Sequence, residues 1–90
     1  MNKQLHALFS GMVQGVGFRY TAQRLAGRYP VTGWVKNLPT GQVEVVAEGE
    51  EKTLQEFLKS VQESFSPYIR NADVEWKPAS GQFKNFKVEF

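Results

Sequence analysis

The chain has 90 residues, of which 41% are hydrophobic and 13% aromatic, so we expect a single packed domain over residues 1–90 without room for a second core. The net charge of +2 suits a small anionic ligand but lacks the strong basic character that is typical of nucleic-acid-binding proteins. Because the chain contains no cysteine, disulfides, thiolate catalysis and thiolate metal sites are excluded.

The first predicted element is a strand near the N-terminus, in which Leu5, Ala7 and Phe9 alternate with their neighbours. This alternation predicts a buried odd-numbered face. His6, the only histidine, lies in mid-strand, where we expect a surface or partly covered position rather than a catalytic role. The apolar part of the segment is too short for a signal peptide, and no run in the chain could span a bilayer, so we expect a cytoplasmic protein.

A glycine-rich segment, SGMVQGVGFRY over residues 10–20, follows this strand. Its glycines, Gly11, Gly15 and Gly17, permit a tight loop whose N–H groups converge on an anion. A helix that begins near Phe18 would add its free N–H groups and its dipole to the same site, with Arg19 in its first turn. The segment therefore predicts a phosphate site, although a plain strand-to-helix turn with a surface arginine also fits these residues alone.

Two nucleotide-binding motifs do not fit the segment. It lacks the lysine and the following serine or threonine of a P-loop. Tyr20 occupies the third glycine position of a dinucleotide fingerprint, and the chain is too short for a doubly wound fold.

Two amphipathic helices are predicted. The first ends at Pro30, and the second begins at the acidic pair Glu50-Glu51 and ends at Ser66-Pro67. The apolar stripe of the first helix consists of Phe18, Ala22, Leu25, Ala26 and Tyr29. The stripe of the second consists of Leu54, Phe57, Leu58, Val61 and Phe65. Both stripes have the spacing of a helix with one buried face.

Four more strands are predicted. Residues 31–37 and 42–48 form a hairpin around the turn Leu38-Pro39-Thr40-Gly41, and Gly49 is expected to break the second strand of this hairpin. The fourth strand carries Ala72, Val74 and Trp76, and the last carries Phe86, Val88 and Phe90. We expect the aromatic residues Phe83, Phe86 and Phe90 to pack in the core or at its edge rather than to bind a ligand.

The predicted order is β-α-β-β-α-β with one extra short C-terminal strand. This order indicates an α+β fold, namely a ferredoxin-like βαββαβ sandwich with two helices on one face of a mainly antiparallel sheet. In that layout the first strand and the hairpin pair centrally. Asn37, at the end of the second strand, can then approach the glycine-rich loop.

The chain resembles the acylphosphatase family in two segments. Residues 11–19, GMVQGVGFR, match the family signature that ends in GVGFR, and residues 33–37, GWVKN, resemble a second signature that normally reads GWVRN. The likeness extends over nearly the whole chain. Three departures are Lys36 in place of an arginine, Leu38-Pro39-Thr40 in place of a polar turn, and Ser66-Pro67 in place of a glycine-proline pair.

The resemblance implies an enzyme that hydrolyses the carboxyl–phosphate bond of acyl phosphates without a metal, a cofactor or a phosphoenzyme. It implies that phosphate is held by the Gln14–Arg19 loop and that Asn37 orients the attacking water. The implied phosphate-binding residues are Gly15, Val16, Gly17, Phe18 and Arg19. The expected ligands are a small acyl phosphate as substrate and inorganic phosphate as product and inhibitor. Nothing in the sequence indicates an oligomer, so we expect a monomer without a nucleic-acid or membrane partner.

The chemistry of these residues is consistent with that activity. An acyl phosphate has a good leaving group, so positioning and charge stabilisation suffice for the reaction. The planar guanidinium group of an arginine can donate two parallel hydrogen bonds to the oxygens of a phosphate group. An asparagine amide can orient water without acting as a base. By itself, however, Asn37 would be interpreted as the residue that starts the turn at Leu38-Pro39.

Two other functions compete with hydrolysis for a fold of this class. An RNA-binding module of this topology would carry exposed aromatic residues on its central strands, where this chain has Val43 and Val45. A degenerate domain that binds phosphate without turnover is the closer alternative, and the presence of both Arg19 and Asn37 argues against it.

Overall fold

A five-stranded sheet with two helices on one face forms the molecule. The computed structural model describes residues 1–90. The elements are β1 Asn2–Gly11, α1 Phe18–Arg28, β2 Thr32–Asn37, β3 Val43–Glu50, α2 Glu51–Ser64, β4 Ile69–Pro78 and β5 Phe86–Glu89. The strands lie in the order β4-β1-β3-β2-β5, in which only β2 and β5 pair in parallel. The predicted ferredoxin-like α+β fold with an extra short strand is confirmed.

One aromatic cluster positions the start of α1. Phe18, the first residue of α1, is 2% exposed and packs between two other phenylalanines. Its ring centroid lies 5.1 Å from that of Phe9 on β1 and 4.5 Å from that of Phe65 at the end of α2. Burial of a side chain of this size contributes about 1.5–3 kcal/mol. The same packing holds the first turn of α1 next to the end of β1.

The predicted helical stripes face the sheet. In α1, Ala22, Leu25 and Ala26 are buried. Tyr29 is half-buried, and its hydroxyl lies 2.7 Å from Ser60 Oγ of α2. In α2, Leu54, Phe57 and Val61 are buried and Leu58 packs at the edge of the same core. Neither helix has the length and apolarity that a membrane crossing requires.

The prediction that Gly49 breaks the third strand is wrong. β3 continues through Gly49 to Glu50 and pairs with the start of β1. Gly49 is buried, and a Cβ there would lie 3.3 Å from Val31 Cγ1 and 3.4 Å from Pro30 O. The glycine therefore permits a close approach between β3 and the residues before β2.

The face of the sheet opposite to the helices carries polar residues. His6 is partly covered there, as predicted, with Nε2 2.6 Å from Glu44 Oε2 and Nδ1 3.7 Å from Glu75 Oε1. Alternation along β1 explains the placement, since successive side chains of a strand point to opposite faces. His6 thus lies on the side of β1 away from Leu5 and Ala7, which are fully buried.

Glu48 is the one buried charged residue. Its carboxylate accepts hydrogen bonds from the main-chain N–H of Ser80 at 2.7 Å, the Ser80 hydroxyl at 2.8 Å, the Gly81 N–H at 3.0 Å and Gln4 Nε2 at 2.7 Å. Burial raises the pKa of the Glu48 carboxyl, but these hydrogen bonds outweigh burial and bring the pKa below its usual value. Glu48 therefore fixes the segment that leads from β4 toward β5.

Candidate active site

Two glycines shape the loop between β1 and α1, which we call the phosphate loop (residues 12–17). Gly15 and Gly17 both have a φ of 79°, in the left-handed region that glycine adopts most easily. A Cβ at either position would meet no atom within 4 Å, so the backbone angle rather than space requires glycine there. The third glycine of the predicted loop, Gly11, belongs to β1 instead.

The main-chain N–H groups of residues 15–20 have no acceptor within the protein. None of them donates to a main-chain oxygen, and the N–H groups that donate to side chains belong to residues 42 and 80–82. Gly17 is the N-cap of α1 and has no side chain that could bond to the first turn. Free N–H groups at a helix N-terminus, together with the helix dipole, favour an anion.

Arg19 lies in the first turn of α1, as predicted, and that turn contains no acidic residue. Its guanidinium group takes part in none of the ion pairs or hydrogen bonds of the protein. The guanidinium carbon lies 5.0 Å from the centroid of the Phe90 ring and 5.9 Å from that of Tyr20. A guanidinium stacked on rings keeps its N–H edges available, so the donors of Arg19 can bind an anionic ligand.

The prediction that Phe90 packs in or beside the core is wrong. Phe90 is 85% exposed, and its ring lies over Arg19. Phe86 does pack on the core, 5.8 Å from the ring of Phe57. The residue after Glu89 reaches Arg19 because β5 pairs in parallel with β2, with Glu89 opposite Lys36. No local pattern in the sequence signals this contact.

Asn37 and the phosphate loop share one cavity of about 220 Å³. Asn37 is the last residue of β2 and pairs with Val43 at the start of β3. Its side-chain amide makes no hydrogen bond within the protein. The cavity is lined by Val13, Gly15, Gly17, Phe18, Arg19, Tyr20 and Asn37. The predicted approach of Asn37 to the loop is therefore confirmed.

Val16 has a different position from the other predicted phosphate-binding residues. Its side chain is half-buried and packs against the core, outside the set of residues that line the cavity. Val16 can therefore contact a ligand only through its main-chain N–H, which has no acceptor within the protein.

The turn after Asn37 is tied to the phosphate loop. The predicted hairpin is present, with Leu38 N–H donating to Gln42 O at 2.8 Å and Gly41 N–H donating to Leu38 O at 3.1 Å. Gln14 Nε2 donates to the same two carbonyls, at 2.8 Å to Leu38 and 2.9 Å to Gln42. The side chain of Gln42 in turn donates to Ser10 Oγ at 3.0 Å. Sequence reasoning placed Gln14 in the loop but missed the contacts of its side chain.

The side chains that line the cavity favour anion binding and the orientation of water. No carboxylate and no histidine lines it, and Arg19 and Tyr20 are its only titratable side chains. No group of three or more histidine, aspartate or glutamate side chains in the chain is arranged to hold a metal ion.

A second cavity is larger, but no residue of the phosphate loop lines it, and neither does Arg19 or Asn37. It measures about 480 Å³ and lies between β2, β5 and the segment that precedes β5. Trp34, Lys84 and Lys87 line it together with Glu89, so its charges are mixed, and it shares no lining residue with the first cavity. The smaller cavity is therefore the candidate active site.

Comparison with known proteins identifies the family of the chain. The family model named Acylphosphatase matches residues 5–88. An acylphosphatase of Bacillus licheniformis is 42% identical over 90 residues (97% of this chain, 98% of the relative), and one of Clostridium acetobutylicum is 43% identical over 82 residues, 89% of each chain. The crystal structure of acylphosphatase from Bacillus subtilis matches with a TM-score of 0.91 at 36% identity, covering 98% of this chain and 99% of that one. This chain belongs to the acylphosphatase family.

Proposed function

We propose that the chain hydrolyses the carboxyl–phosphate bond of small acyl phosphates in the cavity between the phosphate loop and Asn37. The products are a carboxylate and inorganic phosphate. One observation carries the proposal: unpaired main-chain N–H groups, an unpaired guanidinium and an unpaired amide adjoin one small cavity. Membership of the acylphosphatase family supports the same reaction.

The phosphoryl group binds to the loop side of this cavity. Its oxygens accept hydrogen bonds from the main-chain N–H groups of residues 15–19. They also accept two parallel hydrogen bonds from one edge of the Arg19 guanidinium group. Charge-assisted hydrogen bonds of this kind contribute about 1.5–3 kcal/mol each. A cation in the first turn of a helix is unfavourable alone, and a bound phosphate offsets that cost. This explains why an arginine stands at the N-terminus of α1 without an acidic partner.

Hydrolysis proceeds by direct attack of water on phosphorus. The bond between phosphorus and the acyl oxygen breaks, the carboxylate leaves with the electron pair, and a proton of the water passes to a phosphate oxygen of the substrate. The side-chain carbonyl of Asn37 accepts a hydrogen bond from the water and holds it in line with the leaving oxygen. Neither a general base nor a covalent nucleophile is required, because carboxylate is a good leaving group and charge stabilisation by the loop suffices.

The product keeps the oxygens that the loop binds, so inorganic phosphate competes with the substrate. The proposal includes a monomeric, cytoplasmic enzyme that works without a metal, a cofactor, nucleic acid or a membrane. Phosphate inhibition is tested by steady-state kinetics with benzoyl phosphate, and the monomer by sedimentation of the active enzyme.

Arg19→Ala tests the function directly. Turnover of benzoyl phosphate should almost vanish and inhibition by phosphate should weaken sharply. Arg19→Lys should also lower turnover strongly, because a single ammonium group cannot replace the paired N–H donors of the planar guanidinium. Arg24→Ala is the matched control, since Arg24 is exposed on the same helix and bonds only to Thr21, at 3.4 Å. Wild-type kinetics in Arg19→Ala would refute the assignment, whereas phosphate binding without turnover in the wild type would favour the degenerate domain.

A further inference from the structure

Gln14 joins the phosphate loop to the turn that follows Asn37. We infer that Gln14 is a positioning residue, which sets the distance between the loop that holds the phosphoryl group and the amide that orients the water. The inference rests on the proposed function of Asn37. Gln14 does not line the cavity, so it acts through its neighbours rather than on the substrate.

Both hydrogens of the Gln14 amide are used in this link. Nε2 donates to Leu38 O at 2.8 Å and to Gln42 O at 2.9 Å. These carbonyls are also the two that close the turn, because they accept the N–H groups of Gly41 and Leu38. One half-buried side chain thus bonds to both ends of the turn, directly next to Asn37 in the chain.

Main-chain hydrogen bonds do not join the phosphate loop to the turn. The pairing of β1 with β3 ends at Phe9 and Val43, so the loop and the turn both extend past the last pair of the ladder. Beyond it, Gln42 reaches back to Ser10 at 3.0 Å, but only Gln14 connects the turn to the phosphate loop itself. Without Gln14, no hydrogen bond would join the turn to the phosphate loop.

The separation matters because the reaction needs groups from both sides. The N–H groups and Arg19 belong to the loop and α1, whereas Asn37 belongs to β2. A misplacement of about 1 Å between reacting groups can cost roughly 10²-fold in rate. Loss of the Gln14 link should therefore lower kcat, while phosphate, which is bound from the loop side, keeps its affinity.

Gln14→Met tests the inference, because it keeps the length of the side chain and removes both donors. We expect kcat for benzoyl phosphate to fall by about 10–100-fold, as for other groups that act by orienting a catalytic residue. The inhibition constant of inorganic phosphate should stay near the wild-type value. Gln55→Met is the matched control, since Gln55 is exposed on α2 and forms no side-chain hydrogen bond. It should leave kcat unchanged.

Gln14→Glu provides a second variant if Gln14→Met does not fold. A carboxylate has no donor and would face two carbonyl oxygens, so its activity at neutral pH should also be low. Protonation restores one O–H donor. The ratio of Gln14→Glu to wild-type activity should rise as the pH falls toward the carboxyl pKa, about 4.3 for an unperturbed glutamate. A role of Gln14 that does not depend on these two hydrogen bonds predicts a ratio that does not change with pH.

The double variant Gln14→Met/Asn37→Ala tests the inference separately from the proposed function. If Gln14 acts through Asn37, Gln14→Met should cost little in the Asn37→Ala background, so the two effects are not additive. Full additivity, or a lowered Tm with unchanged kcat in Gln14→Met, would overturn the positioning role and leave the proposed function intact. Wild-type kcat in Asn37→Ala alone would instead overturn the proposed function.

Discussion

The guanidinium carbon of Arg19 lies 5.0 Å from the centroid of the Phe90 ring. The two residues are far apart in the chain and meet because β5 runs parallel to β2, next to the end of the sheet where α1 begins. A cation over an aromatic ring is stabilised by about 0.5–1 kcal/mol at an exposed site. The ring therefore restricts the orientation of the guanidinium group without using any of its hydrogen-bond donors.

Phe90→Ala should weaken the binding of phosphate without abolishing turnover. Without the ring, phosphate binding must itself order the guanidinium group, at a cost of at most about 0.5–1 kcal/mol, which corresponds to at most roughly a two- to fivefold higher inhibition constant for phosphate. Phe90→Trp should keep wild-type affinity because it preserves the ring. Inhibition kinetics on both variants check this prediction, and equal phosphate affinity in Phe90→Ala and wild type would contradict it.

Asn37→Ala should separate chemistry from binding. Loss of one well-placed polar group at a transition state commonly costs about 10²–10³ in rate, so kcat should fall by that factor. Inhibition by phosphate should persist, since Arg19 and the loop are unchanged. A role limited to starting the turn predicts the opposite result, a lower Tm with normal kcat. Tm, phosphate inhibition and kcat on this one variant distinguish the two roles.

Chelation should leave the rate unchanged. The cavity contains no carboxylate or histidine, and the proposed mechanism draws all of its positive charge from N–H groups and Arg19. Extensive treatment with a chelator followed by a benzoyl phosphate assay tests this. A loss of activity that added magnesium or zinc restores would overturn the mechanism.

Glu48→Gln should lower stability at neutral pH, because an amide cannot accept all the hydrogen bonds that the carboxylate accepts. Leaving a buried donor unpaired costs about 1–3 kcal/mol, and each kcal/mol lowers Tm by about 4–8 °C in a domain of this size. Glu56→Gln, at an exposed position on α2, should leave Tm unchanged. Thermal denaturation of the three proteins at pH 7 gives the comparison.

The effect of Glu48 should disappear in acid. Its folded pKa is lowered, so the unfolded chain binds the proton more readily than the folded chain. The stabilisation is therefore fully present above about pH 4.3, the ordinary pKa of glutamate, and is lost as the pH falls through the lower pKa of the folded state. The Tm difference between wild type and Glu48→Gln should shrink over that range, and a constant difference would contradict the argument.

Much of the fold could be predicted because its elements follow local patterns. Alternation placed Leu5, Ala7 and Phe9 on one buried face of β1, and the helical period placed Ala22 and Leu25 toward the sheet. The central pairing of the first strand with the hairpin then followed from how two helices and a hairpin can cover one sheet. Gly49 was misread because a glycine in a strand signals either a break or a close approach, and local sequence does not distinguish them.

Three features of the site could be predicted locally, because each depends on the chain within a few residues: the left-handed glycines of the loop, the start of α1 near Phe18 and the position of Arg19 in its first turn. Which distant groups meet these features depends on the tertiary structure. The ring of Phe90 lies over Arg19 only because β5 pairs in parallel with β2, and the amide of Gln14 finds its acceptors only because β3 places the turn beside the loop. Such contacts depend on strand order and register, which arise from burial over the whole chain and leave no periodic signal at the residues concerned.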